Sequence, residues 1–131
     1  MHDIKTIEQE VTFNATPEEV YEALMDSEKH AEFTGSPALI STKTGGTITA
    51  YDGCITGSNI ELKPGKKIIQ SWRGKNWPRE RYSTVAFTFK KTQSGTMLKF
   101  VQTGVPTAFY QTITTGWKEK YWEKMKRIYG W

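Results

Sequence analysis

The sequence predicts an α+β fold: a curved antiparallel β-sheet wrapped around a long C-terminal helix. Three observations predict it. Between Ala38 and Thr103, short segments are separated by the turn signals Gly45-Gly46, Asp52-Gly53, Gly57-Ser58-Asn59, Pro64-Gly65 and Ser94-Gly95, the chemistry that closes antiparallel hairpins. From about Thr112 to Tyr129, Ile113, Trp117, Tyr121, Met125 and Ile128 step by four, four, four and three, which is helical period. The chain has 131 residues, the length of one domain, so this apolar stripe must lie on the sheet of the same chain.

Each element follows from local chemistry. Residues 4–13 alternate, with Ile7, Val11 and Phe13 on one face and Glu8, Glu10 and Thr12 on the other, and read as a half-buried strand. Thr16-Pro17-Glu18-Glu19 starts a helix. Thr16 can cap it, Pro17 suits its first position and Glu19 closes a capping box. Val20, Tyr21, Leu24 and Met25 then repeat at helical spacing. Asp26-Ser27 breaks this helix and caps a shorter one through Phe33, which Gly35-Ser36-Pro37 ends. Strands follow at about 47–51, 54–62, 67–73, 82–91 and 96–103. In the segment 82–91, Val85, Phe87 and Phe89 face opposite Thr84 and Thr88, as in a sheet with one wet face. Phe87, Phe89, Leu98 and Phe100 form the expected seat of the final helix.

Composition narrows the function. Hydrophobic residues make up 37% and aromatics 13%, enough for a packed core. A net charge of +4 is too mild to announce nucleic-acid binding. The lone Cys54 excludes an internal disulfide framework, and with only His2 and His30 beside it a Cys/His zinc site is not expected. No apolar run exceeds three residues and the charged N-terminus lacks a signal-peptide core. The expectation is a cytoplasmic monomer with no cofactor, metal, nucleic acid or membrane among its partners.

The segment Trp72-Arg73-Gly74-Lys75-Asn76-Trp77-Pro78-Arg79-Glu80-Arg81-Tyr82 interleaves four basic residues with three aromatics. Such a segment can dock a protein, since Trp, Tyr and Arg are the usual hot-spot types. It can stack bases and pair phosphates. It can also be a hairpin connection with inward tryptophans and solvated charges. Trp77, Arg79 and Arg81 are the candidate exposed contacts. The basic face of the last helix, with Lys118, Lys120, Lys124, Lys126 and Arg127, is a solvated face or a second contact surface. Phe13, Phe33, Phe87, Phe89, Phe100, Trp117 and Tyr121 either line a ligand cavity under the final helix or fill it. Catalysis has little support: the acids sit in turns, helix starts and wet strand faces, no Gly-rich phosphate loop occurs, and Cys54 reads as a small buried hydrophobe.

The ordered set Thr16-Pro17-Glu18-Glu19-Val20-Tyr21, Phe33-Thr34, Gly45-Gly46, Asp52-Gly53 with Gly57, Pro64 with Ile68 and Ile69, Trp72-Arg73, Trp77-Pro78, Thr88-Phe89, Gly104-Val105-Pro106 and Gly116-Trp117 with Tyr121 resembles the C-terminal domain of the activators of the heat-shock protein 90 ATPase. That family belongs to the helix-grip, or START-like, superfamily, with lipid-transfer and pollen-allergen relatives. The resemblance implies a single helix-grip domain over residues 1–131. It implies a co-chaperone of the stress response that contacts the dimerised nucleotide-binding domains of heat-shock protein 90 and stimulates its ATPase, with no active site of its own. These residues hold no counterpart of the family's N-terminal domain; a domain cut from a longer protein and a single-domain relative are both open, and only the second would lose the avidity of two linked sites. The other reading kept open is carriage of a small hydrophobic ligand between the sheet and the last helix.

Overall fold

The computed structural model describes residues 4–79 and 81–130. Strand β1 (Ile4–Phe13) precedes helices α1 (Pro17–Met25) and α2 (Ser27–Thr34). Strands β2 (Leu39–Ile40), β3 (Thr47–Ala50), β4 (Ile55–Lys63), β5 (Lys67–Gly74), β6 (Ser83–Lys91) and β7 (Thr96–Pro106) follow. The final helix comprises a tight turn at Thr107–Phe109, α3 (Tyr110–Gly116), a wide π turn at Trp117–Trp122 and α4 (Glu123–Tyr129). The strands form one sheet in the order β1-β7-β6-β5-β4-β3-β2, with every described pairing antiparallel. The N-terminal strand thereby closes one edge against the last strand, and the final helix lies across the inner face. This is the α+β helix-grip architecture the sequence predicts.

Local chemistry sets the elements. The Thr16 hydroxyl accepts from the Glu19 backbone N–H and the Glu19 carboxylate accepts from the Thr16 N–H, so the capping box forms as read. Asp26 caps α2 through the Lys29 N–H, and Gly35 ends it in the left-handed region at φ 76°, where glycine carries no Cβ penalty. On the inner face, Phe87 meets Phe100 at 5.3 Å between ring centroids, and Phe100 meets Trp117 at 4.2 Å.

Three boundaries differ from expectation. The two-residue edge strand β2 carries no sequence signal of its own. Strand β7 runs to Pro106 rather than ending near 103, because Gly104 at φ 78° lets the strand bulge where β1 skips register between Lys5 and Ile7. The helical stripe also breaks at its end. The π turn shifts the side chains that follow it, so Trp122 is buried while Ile128 is 46% exposed.

Candidate functional site

A groove of about 440 Å³ opens between the final helix and the β4–β5 end of the sheet. Strand β5 supplies Trp72, Arg73 and Gly74; the segment after it supplies Trp77. The turn before β4 supplies Tyr51 and Cys54, and the helix supplies Ile113, Gly116, Trp117, Lys120 and Tyr121. Tyr51 and Asp52 are held at φ 49° and 55°, a conformation uncommon for residues with side chains. This turn lays the Tyr51 ring on the helix. Its hydroxyl donates to the Lys120 carbonyl at 2.7 Å, its ring meets Tyr121 edge-on at 5.9 Å, and the Lys120 ammonium stands 5.7 Å from its centroid. Burial pushes the Tyr51 phenol up to about 12, so it is a donor at neutral pH.

Of the seven residues expected at a cavity, Trp117 and Tyr121 line this groove. The other five are corrected to core positions: Phe13, Phe33, Phe87, Phe89 and Phe100 are all buried. Phe33 packs on His30 and Tyr121, Phe89 on Tyr21, and Phe87 borders a void of about 10 Å³ beneath the sheet. Cys54 is exposed at the groove mouth, not buried as expected. Cys54 directly follows the left-handed turn at Tyr51, Asp52 and Gly53.

The segment after β5 is also corrected. Trp77 is 8% exposed, not an outward contact. Its ring stacks on Phe109 at 6.1 Å with an interplanar angle of 8°. Gly74 must be small here, since a Cβ would stand 2.7 Å from the Trp77 indole nitrogen. Arg73 locks the segment by donating from Nη2 to the carbonyls of Trp77 (2.7 Å) and Pro78 (3.2 Å), with its guanidinium 5.8 Å from the Tyr82 centroid. Arg79 is exposed, while Arg81 is half-buried and interacts with its surroundings. Glu80 lies outside the described residues. With Trp72 and Trp77 both buried, the segment presents Tyr82 rather than a row of open aromatic faces, which weakens the base-stacking alternative.

The residues that sequence reading missed are glutamines. Each large indole of the inner face donates to one: Trp72 to Gln70 at 2.8 Å, Trp117 to Gln102 at 2.8 Å and Trp122 to Gln9 at 2.6 Å. A signal was present. Gln9 lies between Ile7 and Val11, and Gln70 between Ile68 and Trp72, at the inward period of two. A buried polar side chain there requires a partner.

His30 is 2% exposed. Its Nδ1–H donates to the Leu24 carbonyl at 3.1 Å and its Nε2 accepts from the Tyr121 hydroxyl at 2.9 Å. Burial holds its pKa below the usual histidine value, against the opposing Leu24 hydrogen bond, so the ring is neutral in the fold. The unfolded chain takes up a proton near pH 6.5. The stabilisation is therefore complete above about pH 6.5 and drains as pH falls toward the lower folded pKa, by at most about 1.4 kcal/mol per pH unit. Urea midpoints at pH 7.5 and 5.5 check this. The wild type is expected to lose stability over that interval, and His30→Gln is expected to flatten the dependence. Equal slopes in the two proteins would remove His30 as the cause.

Among the described residues no group of three or more His, Cys, Asp or Glu is placed to hold a metal; His2 lies outside them. No described helix is long and apolar enough to cross a membrane.

A curved antiparallel sheet, a long helix gripped across it and an aromatic groove at their junction define a helix-grip protein. The chain belongs to the activator of Hsp90 ATPase homolog 1-like family, whose profile matches residues 14–130. It is 33% identical over 116 residues to activator of 90 kDa heat shock protein ATPase homolog 2 of Mus musculus, covering 88% of this chain and 35% of that protein. It is 32% identical over 119 residues to the homolog 1 protein of Homo sapiens, covering 91% and 35%. The chain thus spans about a third of the length of these curated relatives. Its fold matches that of an HSP90 activator from Plasmodium falciparum with a TM-score of 0.89, at 23% identity and 94% coverage of both chains.

Proposed function

We propose that this domain is a co-chaperone module that binds the 90 kDa heat-shock protein and favours its closed, ATP-competent state. The observation that supports the reading is the family membership, with relatives named as activators of that chaperone's ATPase at 32–33% identity. Activation of this kind is a population shift, so the module must bind the closed state more tightly than the open one. It needs no catalytic group of its own; the reaction is the partner's.

Trp77, Arg79 and Arg81 take different parts in this reading. Arg79 is the outward contact, Arg81 a half-buried neighbour, and Trp77 the anchor that fixes the segment on Phe109. Amide NMR spectra of the chain are recorded while the full-length chaperone is added, with and without a non-hydrolysable ATP analogue. Broadening confined to one surface and enhanced by nucleotide is expected. Arg79→Glu is expected to weaken binding about three- to tenfold with an unchanged melting temperature, the scale of one charge reversal at an interface rim. The double variant with Arg81→Glu is read only beside its own melting temperature, because Arg81 is engaged in the fold. A spectrum unmoved by the chaperone, with or without nucleotide, would refute the co-chaperone reading; unchanged affinity in Arg79→Glu would remove this segment from the interface.

A second reading is favoured by one observation. The groove of about 440 Å³ lies within the size range of small-molecule clefts, which supports carriage of a small, largely apolar ligand.

A further inference from the structure

At the end of β5 opposite the Trp77 segment, the start of α1 meets the β4–β5 and β6–β7 hairpins. Three depressions of about 340, 300 and 310 Å³ adjoin there. The first two share Glu18, Pro64 and Gly65, and the last two share Thr16, Pro17 and Lys91. They therefore form one furrow, running from Asp26 on α1 to Ser94 in the β6–β7 turn. Its middle is apolar, with Pro64 exposed and Tyr21 half-buried, the Tyr21 ring standing edge-on to the covered Phe89 at 5.8 Å.

The walls are fixed before anything binds. The Lys66 carbonyl accepts from the Phe89 N–H at 3.0 Å, and the Thr96 hydroxyl donates to the Ala15 carbonyl at 2.7 Å. Each ties one wall element to its neighbour, which lowers the ordering cost of docking. Gly65 stands at φ 73°, and a Cβ there would lie 3.0 Å from the Glu18 Oε2. The bare hairpin thus lets the Glu18 carboxylate rest against it.

Charge is sorted along the furrow. The α1 end carries Glu18, Glu22 and Asp26 with no basic lining residue, and the hairpin end carries Lys66 and Lys91. Several of the acids already have work in the fold: Glu22 pairs with Lys29 at 3.6 Å, Asp26 caps α2 and Glu19 closes the capping box. Glu18, Lys66 and Lys91 do not. All three are exposed and line the middle depression, yet none has a hydrogen bond or ion pair among the described residues. Opposite charges left unpaired on facing walls complement a chain that carries a cation and an anion on either side of an apolar stretch.

We propose that this furrow docks an extended segment of another protein, with a basic residue against Glu18 and Glu22, an apolar one over Pro64 and Tyr21, and an acidic one against Lys66 and Lys91. The proposal goes beyond the co-chaperone reading and does not rest on it, since Arg79 lies at the other end of the sheet.

The test records amide NMR spectra of the whole chain with the acetylated, amidated peptide RKLPLED as probe. Saturable shifts confined to Asn14–Glu22, Gly65–Lys66 and Lys91–Gly95 are expected. The uncharged peptide QNLPLQN is expected to bind about fivefold more weakly, the scale of two exposed ion pairs. Glu18→Gln is expected to weaken RKLPLED about two- to threefold with an unchanged melting temperature. The double variant Lys66→Glu with Lys91→Glu is expected to reverse the preference, binding RKLPLKR more tightly than RKLPLED, while the wild type ranks them the other way. An unchanged ranking would overturn the charge assignment, and an unmoved spectrum or shifts outside the furrow would overturn the site. Should the double variant fall in melting temperature, Glu18→Gln decides: undiminished binding there would overturn the proposal. Furrow amides that shift on dilution of the chain alone would assign the furrow to a second copy and overturn the stated occupant.

Discussion

Replacing Trp117 by alanine is expected to destabilise the domain by about 4–5 kcal/mol, the upper end for losing a buried tryptophan. The indole is the hub of the inner face. Its centroid lies 4.2 Å from Phe100, 4.6 Å from Tyr121, 4.9 Å from Trp72 and 5.4 Å from Trp122. These rings come from two strands and the helix, so truncation leaves a cavity that no single element can close. The change also leaves the Gln102 carbonyl without its indole donor. Domains of this size are stable by only about 5–15 kcal/mol, so the loss is a large share of the total. Urea denaturation followed by far-UV and near-UV circular dichroism checks it, and the midpoint is expected to fall by roughly 2 M for a typical slope. Trp117→Phe separates the two contributions: it keeps most of the ring and loses the N–H, and is expected to cost about 1–2 kcal/mol. A loss below about 1.5 kcal/mol in Trp117→Ala would mean that the helix repacks over the gap and that Trp117 is not the hub.

Much of this arrangement is legible in the chain because it rests on local rules. The capping box at Thr16 and Glu19 needs four consecutive residues, and the alternation of Val85, Phe87 and Phe89 needs only the pleat. The inward set of the final helix is legible as far as Trp117, Tyr121 and Met125. It fails at Ile128 because the π turn adds to the local period, and Trp122 takes an inward place instead. The site is less legible because its determinants are non-local. Trp77, flanked by Asn76 and Pro78 among charged residues, looks like an outward side chain. Its burial is decided by Phe109, a residue beyond two further strands. Cys54 looks like a buried small hydrophobe, but it sits at the end of the left-handed turn through Tyr51, Asp52 and Gly53 and is exposed.

The second large effect is expected at Gln70, which no apolar pattern marks. Gln70 is buried at the centre of β5 and spends both ends of its amide. Its carbonyl accepts from the Trp72 indole at 2.8 Å, and its NH₂ donates to the Asn59 side-chain oxygen at 2.9 Å. Asn59 in turn donates to the carbonyls of Ser41 and Lys43 at 2.7 and 2.9 Å, while its backbone pairs with Gly45 and Gly46. One amide thus connects the aromatic core to the loop between β2 and β3. Gln70→Leu preserves most of the volume but leaves a buried donor at Trp72 and a buried acceptor at Asn59 unpaired. At about 1–3 kcal/mol for each such group, the expected loss is about 3 kcal/mol. The cycle with Trp72→Phe distinguishes a hydrogen-bond effect from a packing effect. If the orphaned indole N–H is a major part of the penalty, the double variant is expected to lose about 1 kcal/mol less than the sum of the singles. Additivity in that cycle would assign the loss to shape and to Asn59 alone. Hydrogen exchange supplies the second readout: the Gly45 amide, which donates to the Asn59 carbonyl, is expected to exchange faster in Gln70→Leu than global destabilisation accounts for, because the loop is held through Asn59 and Asn59 through Gln70.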